Sequence, residues 1–164
     1  HRQFSQCAPI YRISAYTGQD IDMNTGDPIG QALVAEKHPL PVAGVLALLS
    51  LPFHAFLPIE VSHALAAGIV AMITGIYVGF AALDGRRSKL IVEGLVAIGF
   101  TVATVAALLT NPMLIALVYV AHGLWDAVHH SHGFDLTMPR WYIPFCAAYD
   151  VLAGVGLWII WSFL

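Results

Sequence analysis

Charge is what this chain has least of. Seven Lys/Arg and ten Asp/Glu make up 10% of its 164 residues, against about 25% in an ordinary soluble domain. So few charges cannot coat a globule of this size in water, which excludes a conventional soluble enzyme. A disordered chain is excluded too, because disorder goes with low hydrophobicity. The net charge is −3 and no basic patch is present, so nucleic acid is not a partner. Cysteine is almost missing. Cys7 and Cys146 stand far apart, which rules out a disulfide scaffold and reads as two reduced thiols. Also absent are a Gly-rich phosphate loop, a Ser elbow and a CxxC pair. Ser131 between His130 and His132 is not a triad signal.

Apolar residues are what remains, at 59% with a mean hydropathy of +0.76. They define an all-α integral membrane bundle with the lipid bilayer as its solvent. Residues 1–38 form a polar N-terminal extension without an apolar stretch of signal-peptide length. It reads as loop, with a turn of helix near Ile29–Lys37. The run Asp20-Ile-Asp22-Met-Asn24-Thr-Gly26 is similar to the start of a calcium loop. That loop requires Gly at its sixth position and Glu at its twelfth. Here those positions hold Thr25 and Gln31, so an Asx-rich turn is the better reading.

Residues 39–164 divide at charged and Pro/Asn breaks into five spans: Leu40–Leu57, Val61–Leu83, Leu90–Leu109, Pro112–His130 and Trp141–Phe163. Each approaches the ~20 residues that cross ~30 Å of hydrocarbon. Pro52 interrupts the first and should kink it. With five crossings, all seven basic residues (Arg2, Arg12, Lys37, Arg86, Arg87, Lys89 and Arg140) share one side. By the positive-inside bias, that side and the N-terminus face the cytoplasm, or the matrix or stroma of an organelle. The expected location is a bacterial inner membrane, or a mitochondrial inner or thylakoid membrane. Gly75-x-x-x-Gly79, with Ala67 and Ala71 below it, and Gly154 with Gly156 offer small-residue faces for close helix approach. Trp125, Trp141, Trp158 and Trp161 suit interfaces or the core.

Ionisable groups inside a span cost about 2.5–3.5 kcal/mol each on insertion scales, so they mark a site or a paired contact. The fourth span concentrates them. His122, Asp126 and His129 fall within about 60° of one another on a helical wheel. Asp150 in the fifth span lies at a matching depth of roughly 13 Å. Cys146 is one turn nearer the loop, and Glu93 lies on the same inner side. His122, Asp126, His129 and Asp150 are thus candidate ligands for a divalent metal, zinc or iron. Asp126-x-x-His129 has the spacing of one Glu-x-x-His element of a di-iron bundle, although a second element is missing. The alternatives are His–Asp hydrogen bonds that lock two helices, a haem or chlorin held by one His, or a proton relay. On the other side, Glu60 and His63, with His54 nearby, read as a helix N-terminus with a stabilising acid.

His122-x-x-Trp125-Asp126-x-x-His129-His130-x-x-Gly133, followed by Pro144-x-Cys146-Ala147-x-x-Asp150 and Trp158, resembles the C-terminal signature of a family of small multi-pass bacterial membrane proteins of unknown function. The likeness covers about residues 119–161. It implies a compact helical membrane fold in which the His/Asp motif belongs to the family pattern, and it implies no activity. Two functions fit these residues. One is an accessory subunit of a larger respiratory or photosynthetic membrane complex, with other membrane subunits as partners. The other is a membrane metalloprotein or metal-dependent enzyme acting on a lipid-like substrate.

Overall fold

The computed structural model describes residues 34–131 and 138–164. Most of the polar extension, with its Asx-rich run, Cys7, Arg2 and Arg12, lies outside the described residues, as do His132 and Gly133. Of the turn expected near Ile29–Lys37, residues 34–37 are helical.

Five helices follow: α1 (Pro39–Phe56), α2 (Ile59–Asp84), α3 (Arg87–Thr110), α4 (Leu114–Ser131) and α5 (Tyr142–Phe163). Prolines and one glycine punctuate them. Pro39 opens α1, where a missing N–H costs nothing and φ is already helical. Leu57, held extended at φ −84° and ψ 150° by the following Pro58, ends it. Pro58 precedes the first turn of α2, which carries Glu60 at the positive end of the helix. Gly85 ends α2 at φ 78°, the left-handed conformation that favours glycine. Asn111 ends α3, and its Oδ1 accepts the Met113 N–H at 3.2 Å ahead of α4. Pro52 lies inside α1, which continues through it.

Helices α1, α2, α3 and α5 are long and apolar enough to cross a bilayer. The 18 residues of α4 reach about 27 Å, and its apolar character is diluted by the very histidines and aspartate that sequence reasoning singled out. Short connections make neighbouring helices antiparallel. The described basic residues Lys37, Arg86, Arg87, Lys89 and Arg140 therefore gather at one end, where α1, α3 and α5 begin. There Arg86 donates from Nε and Nη2 to the two carboxylate oxygens of Asp84.

Burial is inverted relative to a soluble protein. Leu48, Leu83 and Leu109 are 70%, 85% and 78% exposed, while His54, Ser62, Glu93, His122, Asp126, His129 and Asp150 are buried. Lipid accepts the apolar outer faces, and polar groups must find one another inside. Helices α4 and α5 form the tightest pair, α1 packs on α5, and α2 packs on α3. Glycine allows the α4–α5 approach. A Cβ on Gly123 would sit 2.9 Å from the Ala147 carbonyl oxygen, and one on Gly154 would sit 2.7 Å from that of Ala116. Gly156 accommodates the Leu51 side chain of α1 in the same way. The Gly75-x-x-x-Gly79 face does not serve the bundle's packing: both glycines are exposed, with nothing within 4 Å of a Cβ built on either. Between these contacts lies a core of Ala66, Val70, Ile115, Tyr119, Ala153 and Leu157. Tyr119 fixes it further by donating to the Ala66 carbonyl at 3.1 Å.

At the opposite end, Ser62 ties three helices together. The Trp161 Nε1–H donates to its hydroxyl at 2.8 Å, and His54 Nδ1 lies 2.9 Å from the same oxygen. With Trp161 as donor, the serine proton is free to go to His54. His63 lays its ring edge-on to Trp161, with centroids 4.5 Å apart. Among the described residues no ion pair joins it to Glu60.

Candidate metal centre

The helical stripe of α4 faces the interior, and Gly123 and Gly154 bring α5 close enough to meet it. His122 and Asp126, one turn apart, are both buried. Across from them, Asp150 places Oδ2 2.7 Å from His122 Nδ1. Asp126 Oδ2 lies 3.8 Å from the same nitrogen. One ligand atom from each of His122, Asp126 and Asp150 can be chosen so that all three lie within 4.8 Å of one another. The fourth expected ligand sits elsewhere. His129 turns its Nε2 to Glu93 Oε1 at 2.9 Å, forming a second buried pair between α4 and α3. Glu93 thus belongs to the polar interior, as its depth suggested, but as the partner of His129.

Aromatic rings wall the two groups. Phe100 of α3 meets His122 edge-on at 5.0 Å. Tyr77 of α2 stands between the two histidines, 6.2 Å from His122 and 5.1 Å from His129 by ring centroids. Its hydroxyl faces Asp126. Trp125 packs on His129 at 5.0 Å. Sequence reasoning missed Tyr77 and Phe100. A signal for Tyr77 was available: it continues the buried face of Val70, Ile73 and Thr74 at helical spacing.

The donor set is one imidazole and two carboxylates. Both oxygens of Asp126, Oδ1 of Asp150 and Oε2 of Glu93 are buried without a hydrogen-bond partner among the described residues. Two neighbouring carboxylates without a counter-charge are expensive in a low-dielectric interior. A proton or a cation between them removes that cost. A tetrahedral ion with ligands at about 2.0–2.1 Å separates its donor atoms by about 3.3 Å. The two distances from His122 Nδ1, 2.7 Å and 3.8 Å, bracket that value, and all three ligand atoms lie within 4.8 Å of one another. His122 can take either role. With its proton on Nδ1 it donates to Asp150; with the proton on Nε2, the Nδ1 lone pair is a ligand.

Fold and polar interior together define an all-α integral membrane protein with a buried His/Asp cluster between its last two helices. No protein-family model, curated protein or solved structure matches the chain.

Proposed function

We propose that this chain is a membrane metalloprotein that holds one divalent transition metal on His122, Asp126 and Asp150. The observation that carries the reading is the set of three buried ligand atoms within 4.8 Å, beside buried carboxylate oxygens of Asp126 and Asp150 that lack a hydrogen-bond partner among the described residues. The mixed nitrogen and oxygen set suits zinc or ferrous iron. Three protein ligands are the pattern of a catalytic site, because a fourth position stays open for water or substrate. An ion there would polarise a bound carbonyl or activate a bound water. Asp126, bound to the ion through one carboxylate oxygen, would keep its second oxygen to exchange a proton with that position.

The accessory-subunit reading draws on the small-residue faces, of which Gly75 and Gly79 stay open on the outside of α2. The apolar outer surface is equally satisfied by lipid, so the cluster is the more specific guide. The positive-inside bias puts the end bearing Lys37, Arg86, Arg87, Lys89 and Arg140 on the cytoplasmic, matrix or stromal side.

The test is metal analysis of the full chain purified in mild detergent. Wild type should carry about one zinc or iron per chain, and Asp126→Asn or Asp150→Asn should lose it. Glu93→Gln should keep it, because Glu93 faces His129. Wild-type protein without metal, and without a thermal shift on adding zinc, ferrous iron or manganese, would end the proposal.

A further inference from the structure

A second feature of the fold leads from the lipid to this cluster. Helix α1 packs on α5 and α2 packs on α3, so α1 and α2 have little contact with each other. The bond from His54 to Ser62 lies beside the turn that joins them. Away from that turn, a cleft of about 330 Å³ opens between α1, α2 and α5. Its walls include Leu46, Met72 and Ile76, which are 43%, 64% and 36% exposed. In a bilayer those side chains meet acyl chains, so the mouth faces lipid. Its inner lining includes Ser50, Tyr149 and Asp150. The volume lies within the range of a small-molecule pocket.

We infer that this cleft binds a single-chain amphiphile with an uncharged hydroxyl head, its hydrocarbon chain along α1 and α2 and its hydroxyl at Asp150. The choice of head group rests on the metal reading above. A divalent ion on two carboxylates beside a neutral imidazole leaves no net charge to attract an ionic head. Burying an unpaired ionic head would be costly. The lining also asks for a donor. Tyr149 directs its hydroxyl to Ser50 at 3.4 Å, and Ser50 donates to the Ala47 carbonyl at 3.0 Å. Asp150 gives Oδ2 to His122, and its buried Oδ1 is without a hydrogen-bond partner among the described residues. A hydroxyl supplies the proton that Oδ1 lacks, whereas a carboxylate head would set two anions together. The apolar walls supply the chain's share of the binding.

The experiment is photolabelling of the full chain in lipid nanodiscs. The probe is a diazirine-bearing hexadecanol, the matching hexadecanoic acid is the comparison, and metal content is measured on the same samples. The alcohol should label α1, α2 and α5 around the cleft at least about tenfold more than the acid. Met72→Trp and Ile76→Trp should each lower that labelling about tenfold, the equivalent of 1.4 kcal/mol, with thermal stability and metal content retained. Leu95→Trp on the outer face of α3 should leave labelling unchanged. Equal labelling by alcohol and acid, labelling spread over all outer faces, or undiminished labelling in both tryptophan variants would overturn the inference. Metal-loaded wild type without cleft labelling overturns it while leaving the metal centre standing. Wild type without metal overturns the metal centre, and the basis for an uncharged head falls with it, even where the cleft is labelled.

Discussion

His122 Nδ1 and Asp150 Oδ2 lie 2.7 Å apart across the interface of α4 and α5, with both side chains all but fully buried. The contact joins the two helices and forms one edge of the candidate metal centre. Its structural part can be measured separately with metal removed by chelator. In a double-mutant cycle of His122→Ala and Asp150→Ala, unfolding in detergent should give a coupling of about 0.6 kcal/mol, and at most about 1.7 kcal/mol. The modest figure follows from the membrane-embedded unfolded state, where each group finds other partners. A coupling indistinguishable from zero would show that the two residues do not meet.

Much of this architecture could be read before any coordinates. Pro39, Pro58, Gly85 and the Asn111-Pro112 pair are local breaks whose physics does not depend on neighbours, so they locate helix ends to within a few residues. The stripe of His122, Asp126 and His129 follows from helical period alone, and the depth of Asp150 follows from rise per residue. Pairing is different. Depth and face put Asp126, Asp150 and Glu93 near two histidines, but they do not say which acid meets which ring. That depends on how far α4 is rotated toward α5 and α3, and the rotation is set by contacts such as Gly123 on Ala147. Helical spacing marks Tyr77 as facing inward with Val70, Ile73 and Thr74, but nothing local says that an aspartate stands opposite it.

Glycine placement gives the second prediction. Gly75-x-x-x-Gly79 has the motif spacing but, among the described residues, nothing within 4 Å of a Cβ built on either glycine, whereas Gly123 and Gly154 press on backbone oxygens of the facing helix. Backbone cannot yield as a flexible side chain can. Gly154→Ala and Gly123→Ala should each destabilise the bundle by about 1–3 kcal/mol. Gly75→Ala and Gly79→Ala should be neutral, or stabilising by up to about 1 kcal/mol, because alanine is the better helix former. Thermal unfolding of the four variants in one detergent checks the ranking. Equal losses at Gly75 and Gly154 would mean that α2 packs through the face that is open here.

The third prediction concerns the end of the bundle remote from the metal centre. Ser62 receives the Trp161 indole N–H at 2.8 Å and lies 2.9 Å from His54 Nδ1, so one hydroxyl satisfies groups from both α1 and α5. Ser62→Ala removes that oxygen and leaves a buried indole donor and a buried imidazole nitrogen unpaired. Each unpaired group costs about 1–3 kcal/mol, which makes this small substitution more damaging than its volume suggests. Ser62→Thr keeps the hydroxyl and should recover most of the loss if the added methyl finds room. Trp161→Phe removes the donor along with the indole, so adding Ser62→Ala on that background should cost distinctly less than it does alone. Unfolding midpoints of the single and double variants decide the matter. Strictly additive losses would show that Ser62 does not hold Trp161, and that the closure of α1, α2 and α5 at this end rests on apolar packing alone.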